Sequence, residues 1–174
     1  MNFETVTFAP RIYVACLAAY NSGILHGRWV GADQGADAMR SEIAAMLKDS
    51  PIAGAEEYAI HDYKDFAGLR IEGYSGIDTV AALAAFVAEH GRLGAELHEH
   101  FGDLEEAAEA IEERYYGAYS SLADYMEALT VETTEIPKSL RYYIDWERMA
   151  RDAEMSGDVL TVQIAWDEIH VFHA

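Results

Sequence analysis

Between Glu96 and Glu135 stand twelve carboxylates: Glu96, Glu99, Asp103, Glu105, Glu106, Glu109, Glu112, Glu113, Asp124, Glu127, Glu132 and Glu135. One cation, Arg114, accompanies them. Carboxylates support proton transfer, metal ligation, or attraction of a cationic partner. Proton transfer needs a pair whose surroundings push the two pKa values apart, normally in an apolar cleft. Here Glu105, Glu109 and Glu112 fall at i, i+4 and i+7, with Glu106 and Glu113 on the same side. A row on one helix gives every member the same wet surroundings, which argues against acid–base work. Neighbours at this spacing lie about 5–6 Å apart and repel by roughly 0.2–0.5 kcal/mol per pair. Interspersed lysines would have removed that cost. The pattern therefore predicts either a plain solvated face or a row of anions resembling a phosphate backbone, which carries one charge every ~3.4 Å per strand.

Other chemistry finds less support. His98 and His100 are two positions apart, about 200° around a helix, and cannot share an ion. Glu96 and His100, at i and i+4, make two ligands without an evident third. His170 and His173, in a strand, face opposite sides of the sheet. The single cysteine, Cys16, lies in a strongly apolar run, can form no internal disulfide and builds no zinc spacing. Gly91-Arg92-Leu93-Gly94 matches neither phosphate-loop fingerprint. The residues thus point to a protein that is not an enzyme, with no cofactor and no metal. The rival reading is a small hydrolase relying on carboxylates or on Glu96 with His100.

The whole chain supports an electrostatic role. Its 174 residues carry a net charge of −19 and a pI near 4.5. Nucleic acid and anionic membranes should be repelled and cationic surfaces attracted. The charge is uneven: residues 96–135 hold −11, whereas 1–60, 61–95 and 136–174 hold −3, −2 and −3. An acidic coat adapted to high salt would be spread more evenly. No run of apolar residues is long enough to cross a membrane. Met1-Asn2-Phe3-Glu4 lacks the basic start of a secretory signal, so residence in the cytoplasm is expected.

The elements that hold these residues follow from hydrophobic period and punctuation. Arg11–Ala18 reads as a strand buried on both faces, Asn21-Ser22-Gly23 as a turn, and Ile24–Val30 as the returning strand. Ala36 to about Asp49 is helical, and Glu57–Tyr63 is a third strand. From Ser75 the pattern is helical. Ser75 or Asp78 is the expected cap, Gly91 ends the first helix, a short helix bears Leu93, Leu97 and Phe101, and Asp103–Glu113 is a third. Tyr115–Tyr119 is either strand or an irregular aromatic segment. Ser121 caps a further helix, and Leu140 to about Met155 is helical again. Val159–Trp166 alternates as a half-buried strand and pairs with Ile169–Phe172 across Asp167-Glu168. The class is α+β, an elongated chain of three small modules: an N-terminal β-sheet with one helix (1–63), a central helical module (64–113) and a C-terminal α+β module (114–174). Aromatic residues crowd the last of these. Tyr115, Tyr116, Tyr119, Tyr125 and Met126 are candidates for a dimer contact, since such rings favour interfaces where a polar tip stays hydrated.

The string Arg11-Ile12-Tyr13-Val14-Ala15-Cys16-Leu17-Ala18-Ala19-Tyr20-Asn21-Ser22-Gly23-Ile24-Leu25-His26-Gly27-Arg28-Trp29-Val30 closely resembles the opening of the ArdA antirestriction proteins. Further likenesses are Glu57–Tyr63, Tyr143–Asp152 and Ile169–Phe172, and the likeness is looser between about Gly73 and Glu135. The resemblance implies an elongated homodimeric DNA mimic, carried by a mobile genetic element, that occupies the DNA-binding groove of type I restriction–modification enzymes. It also implies an antirestriction motif, placed here around Leu122–Leu140, and a dimer contact in the same third of the chain. An acidic decoy for another cationic DNA-binding protein is the alternative.

Overall fold

A computed structural model describes residues 7–173, and Met1–Glu4 lie outside that range. The chain is mixed α+β and divides into two compact units, the first running to Ala95 and the second from Glu96.

The first unit is built on a three-stranded antiparallel sheet ordered β2-β1-β3, from β1 (Arg11–Cys16), β2 (Gly27–Gly31) and β3 (Tyr58–Lys64). Ile12, Val14, Cys16 and Val30 are fully buried, and helix α2 (Ala36–Lys48) sends Met39, Ile43 and Met46 into the same core. Strand β1 is shorter than its apolar run predicts. It ends at Cys16: the Leu17 amide makes a last cross-strand bond to the Glu57 carbonyl at 3.0 Å, in register with the Cys16–Tyr58 pair, and Leu17–Asn21 winds into a short helix, α1. The amides of Ser22 and Ile24 turn back to the Ala19 carbonyl. The returning strand therefore starts at Gly27, not Ile24, leaving Leu25 exposed. Gly27 is required there, since a Cβ would meet the Val14 carbonyl oxygen at 2.5 Å.

Helical structure runs from Ile77 to Phe101 (α3) and breaks at Gly91, whose φ of 58° and ψ of −140° are open to glycine alone among common residues. Ser75 does not cap α3. Its hydroxyl accepts from the Glu72 amide at 3.1 Å and closes a turn before the helix.

The second unit continues with α4 (Leu104–Glu113), β4 (Tyr115–Tyr119), α5 (Leu122–Thr133), α6 (Lys138–Arg141), α7 (Trp146–Ser156), β5 (Val159–Ala165) and β6 (Glu168–His173). Its antiparallel sheet is ordered β4-β6-β5, so Tyr115–Tyr119 is strand. Val162, Val171 and Phe172 are buried in it, and α5 packs against α7. Two expectations are corrected. The continuous helix from Leu140 is two helices, because Asp145 caps α7 by accepting from the Arg148 amide at 2.9 Å. That leaves Tyr142 and Tyr143 on the connecting turn, 92% and 81% exposed. Trp166 does not continue the β5 alternation. A register shift between Gln163 and Ala165 breaks the period, Ala165 pairs with Glu168, and Trp166-Asp167 form the reversal with the indole 91% exposed. Among the described residues no helix is long and apolar enough to cross a membrane.

Candidate acidic interaction surface

All twelve carboxylates of the acidic stretch fall in the second unit, which has five Lys and Arg against nineteen Asp and Glu, a net of −14. Glu96 and Glu99 lie on the last turns of α3, and Asp103 caps α4. Glu105, Glu106, Glu109, Glu112 and Glu113 belong to α4, Asp124, Glu127 and Glu132 to α5, and Glu135 to the segment after it. Glu96 and Glu127 are half-buried, and the other ten are exposed.

Helix α4 shows how the sequence aims them. The Asp103 carboxylate accepts from the Glu106 amide at 2.9 Å and fixes where the helix begins. At 100° per residue, the five glutamates then occupy an arc of about 120°. Leu104, Ala107, Ala108, Ala110 and Ile111 fill the complementary arc, where Ala107 and Ala110 are buried. Glu105 and Glu106 sit in the first turn, where the helix dipole favours anions, but Glu112 and Glu113 sit in the last, where it opposes them. Four like-charged pairs (105–109, 106–109, 109–112 and 109–113) add about 1–2 kcal/mol of repulsion.

Arg114, the one cation of the stretch, meets this face at Glu109 alone. Its guanidinium lies 5.1 Å from the centre of the Phe101 ring, and Nη2 only reaches within 4.0 Å of the Glu109 carboxylate. The Arg114 carbonyl accepts from the His173 amide at 2.7 Å and ties the end of α4 to β6. On α5, Ser121 caps by accepting from the Asp124 amide at 3.1 Å, and Glu127 pairs with Arg141 at 3.1 Å. Beside that pair, residues Val131–Ile136 and Arg141 line an open cavity of about 330 Å³ that includes Glu132 and Glu135. All of its lining but Arg141 lies within the 122–140 span where the motif is expected.

The candidate dimer residues divide by exposure. Tyr115 and Tyr116 are 40% and 47% exposed, Tyr119 and Met126 are half-buried, and Tyr125 is buried. Tyr116 and Tyr119 both lie against the Tyr125 ring, with centres 5.6 and 5.1 Å away.

Sequence reasoning misses a polar chain on β6. The Tyr115 hydroxyl is 2.8 Å from His170 Nδ1, and His170 Nε2 is 3.1 Å from the Glu168 carboxylate. The signal lies in the period of two that puts Glu168 and His170 on one face, and reading Glu168 as part of the turn hides it. The geometry resembles a proton relay, yet the Tyr115 hydroxyl is not activated. Burial raises its pKa above the usual 10.0, and the charges of Glu168 and Tyr119 raise it further. Burial, then Tyr116 and Tyr119, likewise raise Tyr125.

Cys16, the single cysteine, is fully buried with Sγ 3.4 Å from the Ser50 hydroxyl. Among the described residues no three His, Cys, Asp or Glu side chains are grouped to hold a metal.

A search of curated proteins returns no match to this chain. The model of the antirestriction protein family ArdA matches residues 12–168, which takes in the first sheet from Ile12, the whole acidic stretch, and the second unit as far as the first residue of β6. The chain therefore belongs to the ArdA antirestriction protein family.

Proposed function

We propose that this chain blocks type I restriction–modification enzymes by occupying their DNA-binding groove, with surface carboxylates standing in for backbone phosphates. The observation that carries the reading is the outer face of α4: five exposed glutamates in one arc, of which only Glu109 is met by a cation, Arg114 at 4.0 Å. A groove that holds DNA mostly through phosphate contacts accepts such an array without any base edges. Two chains carry −38, twice the −19 of one, and duplex DNA has that charge over about 65 Å at one charge per ~1.7 Å. The protein works by binding, with no reaction, metal or cofactor of its own. It acts in the cytoplasm of a host bacterium, encoded on a mobile element.

The working form in this reading is a homodimer joined through the aromatic segment. Replacing Tyr116 and Met126 together by alanine should yield monomers in sedimentation while the buried Tyr125 keeps the fold. A dimer unchanged by both substitutions would place the contact elsewhere.

Competition tests the mechanism. With a fixed amount of protein and enzyme, rising unmodified duplex should restore cleavage. Inhibition that persists at saturating duplex would refute occupation of the groove. Inhibition of an unrelated cationic DNA-binding protein with equal strength would favour a general acidic decoy.

A further inference from the structure

The first unit contains an open cavity of about 520 Å³ lined by Leu17, Glu56, Glu57, Tyr58 and Tyr74. None of these residues belongs to the acidic stretch, and no part of the proposed mechanism uses them. We propose that this cavity is a receptor for one arginine side chain of a protein partner.

The lining matches a guanidinium group by group. Two phenol rings offer π faces, which attract a cation within about 6 Å of the ring centre. Glu56 and Glu57 are both exposed, and among the described residues neither forms an ion pair. Leu17, half-buried at the cavity wall, suits the apolar stem. Arginine uses all three at once, since its planar head stacks on aromatic rings and forks to carboxylates, which an ammonium cannot do. Among the described residues no cation lines the site.

The parts are also held in place before any ligand arrives. Tyr58 opens β3 and pairs with Cys16 of the central strand. The Glu57 carbonyl accepts from the Leu17 amide at 3.0 Å, fixing the acidic pair beside Leu17. Tyr74 stands on the turn closed by the Ser75 hydroxyl, and that turn is bound to the sheet where the Gly73 carbonyl accepts from the Ile60 amide at 2.8 Å. Despite this anchoring the Tyr74 side chain is 84% exposed. A rigid backbone that holds a large ring in water is a poor arrangement for stability and a good one for contact. With the backbone fixed, binding costs the Tyr74 ring only its own side-chain freedom.

Only the partner's identity rests on the restriction reading, in which the arginine is one that otherwise holds a DNA phosphate. The cavity itself is tested without the enzyme. N-acetylarginine amide, titrated into the full chain and followed by NMR, should shift the Tyr58 and Tyr74 ring signals with millimolar affinity. Tyr74→Ala should weaken it about two- to fivefold, as loss of one exposed ring contact implies, while Tyr74→Phe retains binding. Glu56→Gln with Glu57→Gln should weaken it similarly, with the spectrum otherwise preserved. Equal shifts from the neutral citrulline amide, or no shift from the arginine probe, would overturn the assignment. If the chain binds the probe but never displaces DNA from the enzyme, the cavity stands and the restriction reading falls. If the chain displaces DNA but ignores the probe, the restriction reading stands and the cavity assignment falls.

Discussion

Helices α2 and α4 each bury a stripe of small and aliphatic side chains, but their outer faces are charged by opposite rules. On α2, Asp37 lies in the first turn and Lys48 in the last, as the helix dipole favours. Arg40 pairs with Asp37 at 3.1 Å and also reaches Asp78, while Glu42 accepts from the Gln34 side chain at 2.9 Å. Its two anions are matched by two cations. Helix α4 has five anions and no cation, and two of the five stand at the end the dipole penalises. The first helix is charged in a way that stabilises its own fold. The second gives up about 1–2 kcal/mol from the repulsion alone, a sacrifice that local stability does not explain and a cationic partner does.

That contrast can be broken most severely by neutralising α4. Changing Glu105, Glu106, Glu109, Glu112 and Glu113 to glutamine together should weaken inhibition by about 3 kcal/mol, roughly a hundredfold, if each exposed contact is worth a few tenths to one kcal/mol. Changing Asp37 to asparagine and Glu42 to glutamine on α2 should leave inhibition within a factor of about two. Equal losses from both helices would remove the distinction. No single glutamine on α4 should abolish inhibition, since the contacts are spread.

Reversing the dipole conflict sharpens the comparison further. Glu112→Lys with Glu113→Lys should stabilise the fold by about 1–2 kcal/mol and raise the melting temperature by a few degrees, while inhibition falls. A variant that is both more stable and fully active would show that these charges serve neither purpose. On α2 the expected sign is the opposite. Arg40→Ala should cost less than about 1 kcal/mol, as exposed pairs do, and leave inhibition unchanged in the same assay.

The smallest effect is expected at high pH. The native Tyr115 and Tyr125 hydroxyls both ionise above their ordinary value of 10.0, burial being the first cause in each. A raised native pKa gives stability that is complete below the unfolded value and is lost as pH rises toward the native one. Melting temperature should therefore fall once pH passes about 10, the ordinary tyrosine value. Tyr115→Phe with Tyr125→Phe should reduce the fall. An identical fall in that variant would assign it to other groups.

What the sequence disclosed follows the range of the forces involved. The Asp103 cap, the period of α4, the Ser121 cap and the break at Gly91 are all set within a few residues, and the helices they bound were legible. So was the outward aim of the carboxylates, because a helix period fixes direction once its apolar stripe is known. The end of β1 was not, since Leu17–Asn21 is as apolar as the strand before it, and the helix there shows only in the amides of Ser22 and Ile24 turning back to the Ala19 carbonyl. Neither the Tyr115–His170 contact nor the cavity joining Leu17 to Tyr74 has a local signature. The inward turn of Arg114 toward Phe101 was equally hidden, although it leaves the acidic face less neutralised than its composition suggests.

The central claim concerns charge presented to a DNA-binding groove, so salt is its most direct probe. Displacement of a labelled duplex from the methyltransferase core of a type I enzyme should be measured at increasing salt, for the natural chain and the five-glutamine α4 variant. Displacement is expected at low salt, with an affinity of the chain for the core that falls steeply with salt and a distinctly shallower fall for the variant. Failure to displace the duplex even at low salt, or the same salt dependence for both chains, would contradict it.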